Sequence, residues 1–195
     1  MKIIVVGASG TVGSAVAAAL EAAGHVVVRA SRRGPVRVDL EDTSSIEGLF
    51  RAVPEVDAVV CCAASGPLLD LASAGDEEFE QGLRGKLLGQ VALARHALHH
   101  LRDNGSITLT GGTFAAPLAG GSLGALVNAG LEGFARNAAA ELPRGLRINV
   151  VSPGWVAETL AALGITDAVG TSAAEVARWY VGCVSGTESG QTITG

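Results

Sequence analysis

Gly7, Gly10 and Gly13 stand in the run Gly7-Ala8-Ser9-Gly10-Thr11-Val12-Gly13, and their spacing points directly to chemistry. Glycines so placed let the backbone turn tightly and approach a pyrophosphate closely. They also deliver that anion to the free N–H groups and positive dipole end of a following helix. Spaced glycines alone are a weak sign. Here Lys2-Ile3-Ile4-Val5-Val6 reads as a buried strand before them, and an Ala-rich stretch after them reads as helix, the context that marks a dinucleotide site.

A second group, Ser31-Arg32-Arg33, closes the next strand. A carboxylate at such a place hydrogen-bonds ribose hydroxyls and repels a 2′-phosphate, whereas a Ser followed by arginines welcomes the phosphate. The plainer reading of Arg32 and Arg33 is solvated loop charge. Asp39, followed by Leu40, falls where an adenine amino group could be read, or else simply forms a turn before Asp42. These residues favour NADP(H) over NAD(H).

The elements that must position these groups alternate along the chain, as in a doubly wound parallel sheet. Strands are expected at Lys2–Val6, His25–Ala30, Val36–Val38, Ala58–Cys62, Ser106–Thr110, Leu146–Val151 and Gln191–Thr194. Helices are expected at Thr11–Ala23, Ser44–Ala52, Glu77–Arg102, Leu123–Leu142 and Ala173–Val184. Gly24 closes the first helix, Asp42-Thr43-Ser44 caps the second, with Glu47 three residues after Ser44, and Pro143 stops the fourth. Only Ser31–Pro35 separates the second and third strands, too little for a helical crossover, so the third strand is expected as an edge stub. The expectation is an α/β, Rossmann-like sheet of about seven strands with helices on both faces.

The chain of 195 residues, 48% apolar and 17% charged, fits one dinucleotide-binding domain over residues 1–195. A net charge of −5 argues against nucleic acid and acidic membrane as partners. No apolar run is long enough to span a membrane, and the first twenty residues are expected to belong to the fold rather than to a signal peptide. Cys61, Cys62 and Cys183 lack scaffold spacing and suggest buried thiols in a reducing cytoplasm. Lys2 and Lys86 are the only lysines, and Tyr180 is the only tyrosine.

Beyond the glycine turn, Asp57-Ala58-Val59-Val60-Cys61-Cys62-Ala63-Ala64, Ala129-Gly130-Leu131-Glu132-Gly133-Phe134, Arg147-Ile148-Asn149-Val150-Val151-Ser152-Pro153-Gly154-Trp155-Val156 and Ser189-Gly190-Gln191-Thr192-Ile193 run through the chain. In this order they resemble the short-chain dehydrogenase/reductase family over essentially the whole length. The resemblance implies a nicotinamide dinucleotide held by Gly7, Ser9, Gly10, Thr11, Val12, Gly13, Ser31, Arg32, Arg33, Asp39, Leu40, Cys62, Ala63, Ala64, Asn128, Pro153, Gly154, Trp155 and Val156. It also implies a homodimer or homotetramer formed through Glu77–Arg102 and Leu123–Leu142, where the small residues of Ala135–Ala140 permit close packing.

The family's catalytic Ser, Tyr and Lys fall here on Gly112, Gly124 and Asn128. The Asn that elsewhere lines the proton path falls on Lys86. The chain thus resembles a small subgroup with its glycine motif intact and the usual Ser-Tyr-Lys set missing. Thr110, Thr113 and Ser122 are candidates to orient a carbonyl, and Asn128 can bind the ribose. Lys86, if desolvated, would have a pKa lowered toward useful acid/base work, its alternative being a solvated helix lysine. The catalytic set expected is therefore Lys86, Thr113 and Asn128. His96 and His100, four apart on a helix, could bind a metal, but no neighbouring carboxylate or cysteine in sequence completes a site, and none is assigned. Trp155 is expected as a pocket wall and Trp179 as core or interface.

Two functions remain open on sequence. One is an NADP(H)-dependent oxidoreductase acting on a small carbonyl or alcohol with a rebuilt active site. The other is a non-catalytic NADP(H)-binding sensor or partner subunit, consistent with the missing residues and with the short substrate-covering segment Trp155–Ser172.

Overall fold

The computed structural model describes residues 1–64, 66, 68–166 and 168–195. Seven strands form one sheet in the order β3-β2-β1-β4-β5-β6-β7, and every pairing is parallel. The strands are β1 Lys2–Val6, β2 Val26–Ser31, β3 Val36–Arg37, β4 Val56–Cys61, β5 Leu101–Thr110, β6 Arg147–Val151 and β7 Thr192–Ile193. The helices are α1 Thr11–Ala22, α2 Thr43–Ala52, α3 Asp76–Leu83, α4 Gly89–His100, α5 Ser122–Ala138, α6 Ala157–Ala162 and α7 Ala173–Ser185.

Alternation along the strands sorts the core into two layers, because successive side chains point to opposite faces. Ile4 and Val6 of β1 face α2, α4 and α5 with Ile46, Leu49, Leu93, Val127 and Leu131. Ile3 and Val5 face α1 and α7 with Val16, Leu20, Val176 and Tyr180. Both faces are covered, which is why these strands read as continuous apolar runs. The sequence reverses direction across the sheet at β1, flanked by β2 and β4. A crevice at the carboxyl ends of β1 and β4 is the ligand position of such a sheet.

Several boundaries differ from the sequence expectation. The stretch expected as one helix over Glu77–Arg102 is α3, a π-helical turn over Arg84–Leu88, and α4. In the π turn the Gly89 N–H reaches the Arg84 carbonyl five residues back. Leu101 and Arg102 already belong to β5, with Leu101 paired to Val56. The second helix starts at Thr43, capped by Asp42, whose carboxylate accepts the Ser44 N–H at 2.8 Å. The fourth expected helix, α5, ends at Ala138, ahead of Pro143, as its last turn loosens. Trp155–Ser172 contains the short helix α6, pinned by an isolated bridge between Val156 and Thr171. As expected, β3 is a stub at the sheet edge, though it ends at Arg37 rather than Val38.

Candidate functional site

The glycine turn sits where β1 meets the crevice. Gly7 has φ +81°, and a Cβ there would lie 2.7 Å from the Ala63 nitrogen. A Cβ on Gly13 would lie 2.1 Å from the Gly7 carbonyl oxygen. The turn therefore closes against both the start of α1 and the chain leaving β4 only if these positions lack side chains. The Gly7 and Ala8 N–H groups bond the Ala30 carbonyl at 2.9 and 3.2 Å, fixing the turn to the end of β2. No side chain caps α1 at Gly10, so the N–H groups of its first turn stay open to an anion. Ser9, Gly10 and Thr11 are exposed, and Val12 is half-buried.

At the end of β2, Ser31 is half-buried while Arg32 and Arg33 are exposed. Among the described residues neither arginine makes an ion pair, whereas Arg29, three residues before Arg32, is paired with Glu21 at 2.9 Å. Asp39 adopts the turn-forming role, its Oδ1 accepting the Glu41 N–H at 3.1 Å. The Leu40 side chain is core, 8% exposed. Cys62, Ala63 and Ala64 are half-buried beside the glycine turn, and the Cys62 N–H bonds the Val6 carbonyl at 2.8 Å. On the other side of the crevice, Pro153 accepts the Thr113 N–H at 3.0 Å. Gly154 and Trp155 are exposed at the rim, and Val156 is buried.

Lys86 and Asn128 are brought together. The Lys86 Nζ donates to Asn128 Oδ1 at 2.9 Å, joining the π turn to α5. Asn128 is 6% exposed. Burial lowers the Lys86 pKa, because a desolvated ammonium is disfavoured relative to the neutral amine. A cleft of about 470 Å³ opens on Lys86, lined also by Glu41, Leu69, Gln81, Gly82 and Gly85.

Gly112 and Gly124 are not merely vacant. A Cβ on Gly112 would stand 3.3 Å from Asn128 Nδ2, and one on Gly124 would stand 3.1 Å from Phe114 Cζ. The Asn128 amide and the Phe114 ring fill the room beside these two glycines.

Three candidates lie elsewhere. The Thr113 side chain is exposed and only its backbone is engaged with Pro153. Ser122 is exposed at the start of α5. Thr110 is committed inward: its hydroxyl donates to the Cys61 carbonyl and so accepts from the Tyr180 hydroxyl at 2.6 Å. It cannot also orient a carbonyl, because its one proton is used. Tyr180 is fully buried, and burial raises its pKa well above the usual phenol value.

His96 and His100 do meet a carboxylate, which corrects the reading by sequence proximity. Glu47 of α2 lies 2.9 Å from His96 Nδ1 and 3.5 Å from His100 Nε2, since α2 packs on α4. His100 also stacks on Phe50 with 5.0 Å between ring centroids. Among the described residues no cluster is arranged to hold a metal.

Sequence reasoning missed Gln90 and Glu132. Gln90 is fully buried and makes three hydrogen bonds, to the Lys86 carbonyl and to the Thr110 carbonyl and N–H. Glu132, one turn after Asn128, accepts from the buried Ser152 hydroxyl at 3.0 Å. A lone amide among the apolar residues of α4, four residues after Lys86, was the available signal for Gln90.

An uncapped helix start after a glycine turn, at the reversal point of a parallel sheet, defines a dinucleotide-binding α/β protein. A family model described as Enoyl-(Acyl carrier protein) reductase matches residues 5–189. The chain belongs to the short-chain dehydrogenase/reductase family, whose members bind NAD(P). It is similar to the protein lin1944 of Listeria innocua, at 36% identity over 100% of this chain and 98% of that one, with a TM-score of 0.94. A small-chain dehydrogenase solved with NADPH shares the fold, with a TM-score of 0.87 at 23% identity over 100% of this chain and 96% of that one. The 3-oxoacyl-[acyl-carrier-protein] reductase MabA of Mycobacterium bovis is 28% identical over 80% of this chain and 69% of its own length. The chain spans 39% to 69% of the length of the curated relatives it matches. No described helix is long and apolar enough to cross a membrane.

Proposed function

We propose that this protein is an NADP(H)-dependent oxidoreductase acting on a small carbonyl or alcohol, with Lys86 as the proton-carrying group. The observation that carries the proposal is the Lys86–Asn128 pair, a partly desolvated amine held at 2.9 Å by a buried amide. The open N–H groups of α1 receive the pyrophosphate, and Ser31, Arg32 and Arg33 receive the 2′-phosphate. Pro153, Gly154, Trp155 and Val156 border the nicotinamide end. The bound cofactor supplies or accepts a hydride at the carbonyl carbon. What the chain adds is the proton at the carbonyl oxygen, given by Lys86 Nζ and recovered from water, with a pKa moved by burial toward working pH. Asn128 holds the ammonium in place. Thr113, whose side chain is exposed, is the hydroxyl assigned to orient the substrate.

The same reading includes assembly as a homodimer or homotetramer through α4 and α5. A groove of about 280 Å³ lies between them, lined by Ala94, Leu98, Phe134 and Leu142. One observation favours a second reading, an NADP(H)-holding sensor or partner subunit: Phe114 fills the room at Gly124 with an apolar ring. Turnover of a panel of aldehydes and ketones, followed by loss of NADPH absorbance, separates the two. The first reading expects turnover that Lys86→Ala abolishes while NADPH affinity stays within about threefold, since Lys86 is not placed among the phosphate-binding groups. Tight NADPH binding with no turnover by the wild type selects the second. Activity that survives Lys86→Ala removes Lys86 from the chemistry.

A further inference from the structure

Gln90 is the most completely engaged polar side chain near the site. It is fully buried in α4, one turn beyond Lys86. Its Nε2 donates to the Lys86 carbonyl at 2.9 Å and to the Thr110 carbonyl at 2.9 Å. Its Oε1 accepts the Thr110 N–H at 2.8 Å.

The reason for this arrangement lies in the sheet. The pairing of β4 with β5 ends at Val60 and Thr108, while β5 and β6 stay paired as far as Thr110 and Val151. The Gly111 N–H turns toward β6, bonding Val151 at 2.9 Å, so the Thr110 N–H and carbonyl face the side where β4 has already stopped. Gln90 supplies one donor and one acceptor there, as a peptide group of a continuing strand would. With its second amide hydrogen it holds the carbonyl of the residue that carries the amine.

Lys86 stands inside the only π-helical turn among the described residues. Such turns are uncommon and need an external reason to persist. The residue that follows the turn is closely fitted, since a Cβ on Gly89 would lie 2.8 Å from the Leu40 Cβ.

We propose that Gln90 is the positioning residue for Lys86, locking the π turn onto the end of β5 so that Nζ meets Asn128. The proposal deepens the reading of Lys86 given above and rests on it for its role in turnover. Without the clamp the turn reverts to an ordinary helical one. Loss of one residue's worth of winding rotates Lys86 by about 100° about the helix axis, away from Asn128 and into water.

The test uses the scarcity of lysine in this chain. Selective 13Cε-lysine labelling gives two side-chain resonances, from Lys2 and Lys86, and the NADPH-saturated protein can be titrated by NMR. In wild type the Lys86 midpoint is expected below the ordinary lysine value, because burial disfavours the ammonium. In Gln90→Leu, and in Gln90→Met as a second variant of better matched length, the Lys86 midpoint should rise toward the ordinary lysine value while NADPH affinity changes by less than about threefold. Folded molecules report separately from unfolded ones, so a destabilised variant still gives a reading. A Lys86 midpoint unchanged in both variants, with only the melting temperature lowered, overturns the proposal. If Lys86→Ala keeps turnover but the Gln90 variants move the Lys86 titration, the positioning stands and the catalytic role of Lys86 fails.

Discussion

Replacing Arg32 and Arg33 by Ala should weaken NADPH binding while leaving NADH nearly untouched. Both guanidinium groups are exposed at the end of β2, and among the described residues neither is committed to a carboxylate. A hydrogen bond to a charged group contributes about 1.5–3 kcal/mol, and exposure to water argues for the lower figure at each arginine. Two such contacts sum to about 3 kcal/mol, a loss of roughly 10²-fold in Kd for the double variant and about tenfold for each single one. NADH lacks the 2′-phosphate, so its affinity should change by no more than about threefold. Calorimetric titration of wild type and variants with both dinucleotides measures this directly. Raising ionic strength from about 0.1 to about 1 M shortens the screening length from about 10 to about 3 Å, so the wild-type preference for NADPH should shrink with salt. Equal weakening of both dinucleotides, or no weakening, would refute the phosphate assignment and leave Arg32 and Arg33 as solvated loop charge.

Two further perturbations test other parts of the construction. Gly13→Ala places a methyl group 2.1 Å from the Gly7 oxygen. It should cost about 1–3 kcal/mol by forcing the backbone apart, seen as a lowered denaturation midpoint, and should abolish dinucleotide binding. Hydrogen bonding by His96 holds the Glu47 carboxyl below the usual carboxylate range. The unfolded chain takes up that proton at higher pH than the folded one, so this stability is present above the ordinary glutamate pKa and is lost as pH falls through the lowered value. Glu47→Gln should therefore flatten the acid limb of the stability curve in urea titrations. An unchanged acid limb would show that the cluster contributes nothing to it.

How far the sequence reached differs between elements. Lys2–Val6 was legible because a strand covered on both faces must be apolar throughout, and the glycines after it have no other steric explanation. That β3 is only an edge stub was legible from chain length, since the linker is too short to carry a helix. The π turn was not, because Phe79, Leu83, Leu87, Val91 and Ala94 keep an acceptable helical rhythm through it. The beginning of β5 at Leu101 was also hidden, because pairing with Val56 is a contact between segments far apart in the chain.

The sequence by itself determined the cofactor frame: a strand, a glycine turn and a helix start are neighbours along the chain, so spacing alone specifies their geometry. By resemblance to the family's motifs it also led to the expectation that Gly112, Gly124 and Asn128 fall where the family carries Ser, Tyr and Lys. Only the tertiary structure decided what surrounds those places. Lys86 and Asn128 are 42 residues apart and meet because the π turn and α5 pack over the same end of the sheet. Thr110 is withdrawn from the site by Tyr180, 70 residues away, from the opposite face of the sheet. Glu47 reaches His96 across 49 residues because α2 lies on α4. Side-chain partners of this kind are set by how elements pack, and packing leaves no periodic trace in the sequence.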